Sequence, residues 1–359
     1  MASSAGLGVE FCGQTPYPLS QSILEFAVQT TLETRCHDLL THLGRLPSGA
    51  VVTVTPLSGG VASDIAIVQV NDDKYCVKFA LPKLRVKADW FAPVERNLAE
   101  YRWLECVAAI APQSSVTLLG HSGEAHGFAM EFLDGANTYL FKTALLNGEG
   151  KAEEAAAIGT LLGQIHAAST APDFDTSPFR NHDDFYAIRI EPYLIHTSHA
   201  HEDLRSRLLA MADELHQSSA VLIHGDVSPK NIMFRDGRPY ILDAECATMG
   251  DPSFDLGFCM NHFILKAVHV ASCRSRYLSL CRDFWQAYTP HVTWEDLDVL
   301  EQRLCRLLPM LMLARVDGKS PVEYFNTEDQ ALVRGLAIPL IETPPSNLDE
   351  LLFRLTSTL

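Results

Sequence analysis

The chain changes texture once, near residues 133–137, and that change limits the folds open to it. Between Pro47 and Gly135 the sequence is broken into short apolar runs, VVTVTPL, DIAIVQV and KYCVKFA, punctuated by GG and NDD, which predicts an antiparallel meander. One helical segment, PVERNLAEYRWLECVAAI, follows, and SVTLLG and GFAMEF then restore strand character. Beyond LDGAN the chain is mainly helical, with EEAAAIGTLLGQIHAA, DLRSRLLAMADELHQ and several further segments from Asp255 to the C-terminus. The expected fold class is α+β and bilobal: a small antiparallel β-sheet lobe with one helix, then a larger, mainly helical lobe. At 359 residues two lobes suit the length. Residues 1–49 form an expected N-terminal extension with a helix over 20–44, residues 50–135 the first lobe, and 136–359 the second.

Within the helical half, VLIHGDVSPKNIMF (Val221–Phe234) surrounds one Asp with His and Gly, then places Lys and Asn four and five residues later between apolar runs. Phosphoryl transfer from ATP asks for an Asp that accepts the proton of the acceptor hydroxyl, and for oxygen ligands to Mg²⁺. Asp226 and Asn231 stand at a spacing that lets one loop present both, and Asp243 follows in ILDAE at the end of an apolar run. Turn chemistry accounts for the Gly, Pro and Asn but not for the coordinated carboxylates.

HGDVSPKN, ILDAE and GDPSFDLG occur in one order within about forty residues, and so the chain resembles the aminoglycoside phosphotransferase and choline kinase family, which has the protein-kinase-like fold. The resemblance implies Asp226 as catalytic base and Asn231 and Asp243 as Mg²⁺ ligands, with His224 bracing the loop and Asp255 bonding its backbone. It leaves Lys230 as a cation beside the transferred phosphoryl group, with a solvated surface lysine as the alternative. ATP is the implied phosphoryl donor. At the nucleotide end, the GG pair of LSGGVASD would bring backbone amides to the phosphates through Gly59 and Gly60, with Ser63 as a further donor. Lys78 in YCVKFA matches the family's third-strand lysine. Glu100 fits its helix partner better than Glu95, because Leu104 and Val107 follow it on the packing face. AMEFLDG resembles the hinge, where backbone near Glu131 and Leu133 would bond the adenine edge. The loop lacks a third well-placed Gly, and Ala244 stands where relatives usually carry an aromatic residue. By motif the resemblance covers about residues 50–260.

Between Asp243 and Asp255 lie only eleven residues, with no room for an activation loop, so a small hydroxylated acceptor is expected rather than a peptide. A catalytically silent nucleotide-binding pseudokinase is the alternative; its mark would be loss of Asp226, Asn231, Asp243 or Lys78, and all four are present. A formal net charge of −16 argues against a nucleic-acid partner and suits a cationic or neutral ligand. For the acceptor pocket, PMLMLARVDGKSPVEYF ends an apolar helix with Arg315 and Asp317; a helix C-cap whose basic residues answer the dipole is one reading, but Asp317 is an anion at the unfavourable end of that dipole, so the other places it beside a polar or cationic acceptor group, with His262 as a companion. His166 is expected to pack inside a helix, and His196, His199 and His201 to lie in a solvated connection. The absence of an 18-residue apolar run argues against a membrane span. The N-terminal stretch lacks secretory features, and nine cysteines without metal-site spacing read as reduced thiols, so a cytoplasmic protein is expected.

Overall fold

Five strands form the sheet that the alternating runs predict. In the computed structural model, which describes residues 31–57, 63–83, 85 and 93–359, β1 (Val52–Pro56), β2 (Ser63–Val70), β3 (Asp73–Ala80), β4 (Leu118–Ser122) and β5 (Gly127–Glu131) pair antiparallel in the order β1-β2-β3-β5-β4. The two-residue period of a strand assigns the faces. Val77 and Phe79, with Ala66, Val68, Val70 and Ala129, cover one face and bury Cys36, Leu39 and Leu40 of α1 (Leu32–His42). Cys76 and Lys78, one residue out of phase, take the opposite face, toward α2 (Arg96–Ile110). Of the helix expected over 20–44, α1 is the described part; Ile23, Leu24 and Ala27 lie outside the described residues, as do Gly59 and Gly60.

The second half begins with β6 (Thr138–Leu140), α3 (Phe141–Leu146) and α4 (Ala152–Ala168). It continues through α5 (His182–Phe185), a π-helical stretch Tyr186–Ile195, α6 (His196–Ala200) and α7 (Arg205–Gln217). Short strands follow: β7 (Val221–Ile223), β8 (Ile232–Arg235), β9 (Arg238–Ile241) and β10 (Thr248–Gly250), forming a β6-β8-β9 sheet and a β10-β7 pair. Helices α8 (Pro252–His269), α9 (Arg274–Tyr288), α10 (Leu297–Asp317), α11 (Thr327–Glu342) and α12 (Leu348–Thr358) complete the chain. Helix α4 packs on α9 so closely that a Cβ at Gly159 would stand 2.3 Å from the Phe284 carbonyl oxygen. Every residue of α8 from Pro252 to Val268 is buried, the environment of a core helix. No single helix among the described residues is long and apolar enough to cross a membrane.

One apolar core joins the two halves: Trp103, Leu104 and Val107 of α2 and Phe128 and Met130 of β5 are continuous with α4, α8, α9 and α10. Among the described residues three ion pairs cross between the halves as well, Lys78 with Asp243, Arg96 with Glu245 (2.9 Å) and Arg235 with Glu131 (3.1 Å). The HTSHAHED stretch departs from the expected solvated connection. Its first half is helical, Thr197 and Ser198 are buried, and His201 bonds Asp317. His166 lies fully buried in α4, hydrogen-bonded to the Tyr288 hydroxyl at 2.8 Å.

Candidate active site

Strand β7 delivers the chain to a turn at Gly225 with φ +77°, where a Cβ would lie 2.9 Å from Cys246 Cβ and 3.0 Å from its carbonyl oxygen. Only glycine fits that left-handed, crowded position. The turn is held from below by Asp255, fully buried in the first turn of α8, whose carboxylate accepts the N–H of His224 (2.7 Å) and of Gly225 (2.8 Å). His224 accepts the Asp226 N–H at Nδ1 (3.1 Å), which leaves Nε2 as the donor to the Leu242 carbonyl (3.1 Å). Burial pushes this imidazole below its ordinary value, in keeping with the neutral tautomer. Replacing Asp255 with Asn turns one of its two acceptors into a donor and orphans a buried N–H. A loss of about 1–3 kcal/mol is expected, read as a lower denaturation midpoint.

The loop so held presents Asp226, which is nearly inaccessible, to Arg189 of the π-helical stretch at 2.8 Å and to Lys230 at 3.2 Å. Burial raises the Asp226 carboxyl, but Lys230 and Arg189 outweigh it and hold the group below the ordinary carboxylate range. Asn231 spends its amide nitrogen on the Asp226 carbonyl (3.0 Å), so its side-chain oxygen is left as the acceptor. Asp243 takes a left-handed backbone, φ +69°, uncommon for a residue with a Cβ, and donates its N–H to Glu100 (3.2 Å). Its carboxylate pairs with Lys78, and against burial the charges of Lys78 and Lys230 hold it well below the usual range.

Lys78, buried on β3, also pairs with Glu100 of α2 at 2.7 Å. Its ammonium is held above the ordinary range because Asp243 and Glu100 outweigh the cost of burial. Glu95, the rejected alternative to Glu100, is exposed at the N-cap of α2. The Asn231 amide oxygen and the Asp243 carboxylate are hard oxygen donors, a set that fits Mg²⁺.

Lys78, Glu100, Arg189, Asp226, Lys230, Asn231 and Asp243 line one cleft of about 710 Å³. At the nucleotide end it is apolar, with Leu57, Ile65, Val116, Met130 and Leu242, and Ser63 and Leu133 reach the same wall. The Glu131 N–H is spent on the Thr117 carbonyl (2.9 Å) and its carboxylate on Arg235, so a backbone donor for an adenine edge has to come from beyond Glu131. At the far end the cleft includes His262 and Arg315. Asp317 does not line it, which corrects the expectation of an acceptor-facing anion. Its carboxylate is taken by Arg334 (2.7 Å) and by His201 (2.8 Å), which compensate a negative charge at the helix end.

Three cations of the cleft escaped the sequence reading, namely Arg189, Lys142 and Lys266. For Lys266 a signal existed, since a lysine inside the apolar run FILKAVH stands four residues from His262 and therefore on the same helix face. Arg189 carried none.

Sheet, helical half and cleft together make the bilobal protein-kinase-like fold, and an amicoumacin kinase solved with AMP-PNP and Ca²⁺ superposes with TM-score 0.53, 13% identity, 82% of this chain and 89% of its own. The profile of the phosphotransferase enzyme family matches residues 53–278, well over half of the chain, and the chain belongs to that family. Among similar sequences, a methylthioribose kinase of Pectobacterium atrosepticum is 26% identical over 251 residues, 59% of this chain and 62% of the relative. A probable ketoamine kinase of Staphylococcus aureus is 27% identical over 241 residues, 60% of this chain and 75% of the relative. The chain thus spans less than two thirds of the methylthioribose kinase it matches.

Proposed function

We propose that the chain transfers the γ-phosphoryl group of ATP, with Mg²⁺, to a hydroxyl of a small molecule. The observation that carries this reading is the convergence of Asp226, Asn231, Asp243 and the Lys78–Glu100 pair on one cleft. Asp226, kept ionised and oriented by Arg189, would receive the acceptor hydroxyl proton. Lys78, braced by Glu100, would hold the nucleotide phosphates, and Lys230, half-exposed beside Asp226, would face the charge developing on the transferred group. Asn231 and Asp243 would hold Mg²⁺, which when bound neutralises charge on the phosphates. Methylthioribose kinase and ketoamine kinase are names of enzymes acting on small molecules, which supports an acceptor of that size. Eight unpaired thiols among the described residues suit a reducing compartment such as the cytoplasm.

Coupled ADP release over a panel of hydroxylated compounds tests the reading. Release that requires both Mg²⁺ and an acceptor is the expected result. Failure of Mg·ATP to bind by calorimetry would remove the proposal.

A further inference from the structure

The end of the cleft beyond Asp226 has a charge opposite to that of the whole chain. Helix α8 supplies His262 and Lys266 from one face, α10 supplies Arg315, α3 supplies Lys142, and the segment after α10 supplies Glu323 and Tyr324. Apart from Asp226 itself, Glu323 is the one carboxylate among the described residues lining this end. It is engaged by Lys142 and its side chain is 64% exposed. Three cations thus face one carboxylate, in a chain whose formal net charge is −16.

Lys266 is the sharpest feature. It is 1% exposed and has no hydrogen bond or ion pair among the described residues; its one polar contact is with the Tyr324 ring, whose centroid lies 5.2 Å from Nζ. A buried lysine without a counter-ion is rare and costly, because burial removes hydration that no partner replaces. Burial, with the charges of Lys142 and Arg315, pushes its ammonium down to about 7. Three neighbours are likewise left with unmet polar atoms. Both ring nitrogens of buried His262, the Tyr324 hydroxyl and Arg315 Nε have no partner, although Arg315 is fixed in place through Tyr193 (3.0 Å) and Ser320 (2.9 Å). Unmet polar atoms gathered at one end of a cavity, donors at Tyr324, Arg315 and one nitrogen of His262, are what a ligand's polar atoms would satisfy.

We propose that the phosphate acceptor is an anion: a small hydroxylated compound bearing a carboxylate or a phosphate group, seated against Lys266 and Arg315 with its hydroxyl toward Asp226. This deepens the phosphotransfer reading and rests on it. An amino sugar or quaternary ammonium would instead place its charge against Lys266, Arg315 and Lys142, with Glu323 already engaged. The negative net charge of the chain belongs to other surfaces and does not describe this pocket.

The test measures kcat/KM by coupled ADP release for matched acceptors: D-gluconate against D-glucose, D-glycerate against glycerol, D-ribose 5-phosphate against D-ribose, with choline and kanamycin as cations. The anionic member of at least one pair is expected to exceed its neutral parent by at least about tenfold, and the acid and sugar-phosphate arms tell carboxylate from phosphate. Lys266→Met is expected to erase that preference through acceptor KM, with Mg·ATP binding retained, and at the same time to raise the thermal midpoint by removing an unpaired buried charge. A structural lysine would give the reverse, a lower midpoint and unchanged acceptor KM, and would overturn the proposal. Preferred turnover of a neutral or cationic compound also overturns it while leaving the kinase reading intact. If no compound is turned over, Mg·ATP binding decides the kinase reading. Calorimetric titration of D-gluconate and D-ribose 5-phosphate into the Mg·ADP-loaded protein then decides this one, and no binding of either at millimolar concentration ends it.

Discussion

Replacing Asp226 with Asn is expected to lower kcat by at least about a hundredfold, the scale of a lost general base, while the dissociation constant for Mg·ATP stays near the wild-type value. The substitution keeps shape and leaves the loop's supports untouched, since His224 and Gly225 hang from Asp255 through their own backbone N–H groups. What it removes is the negative charge between Arg189 and Lys230. Asp226 sits below the ordinary carboxylate range because those two cations outweigh its burial, so it is ionised above that lowered value and loses activity only as pH falls through it. Single-turnover and steady-state rates of the purified variant check the expectation. Near-normal turnover would remove Asp226 from the chemistry.

Asp243→Ala is expected to have the larger effect, a loss of at least about a thousandfold in kcat that saturating ATP does not restore. Two functions end together. On the proposed reading the site would lose its charged oxygen donor for Mg²⁺, a contribution worth several kcal/mol to phosphoryl transfer. Lys78 also loses one of its two carboxylates and is left with Glu100 alone. Asp243→Asn separates these consequences, because it keeps an oxygen donor and suits the left-handed backbone at φ +69° better than Ala does. The Asn variant should therefore fold at least as well as the Ala variant while remaining far below wild type in turnover. Equal kcat/KM in wild type and both variants would exclude Asp243 from the site.

The strand runs and the motif residues were legible because each depends on local rules. Alternation assigns Lys78 to one face of β3, turn chemistry demands Gly225, and an Asp at the start of α8 can serve a loop next to it. What escaped depends on partners distant in sequence. Arg189 reaches Asp226 from a π-helical stretch containing Pro192, a local geometry that no periodicity announces. Asp317 was read from the dipole of its own helix, yet its fate is set by Arg334 and His201, seventeen and 116 residues away. The gathering of Lys142, Lys266 and Arg315 at one end of the cleft escaped for the same reason: a sum over 359 residues says nothing about which four or five meet in one pocket.

The continuous core and the three ion pairs that join β3, α2 and β5 to the ILDAE and β8 segments bear on how this molecule melts. A sheet whose inner face is shared with the helical half cannot lose that half without exposing Trp103, Phe128 and Met130 to water, and separation would also strip Lys78 and Arg96 of carboxylates on the far side. Opening of one half therefore removes much of what stabilises the other, and the two behave as a single cooperative unit rather than as independently folding modules.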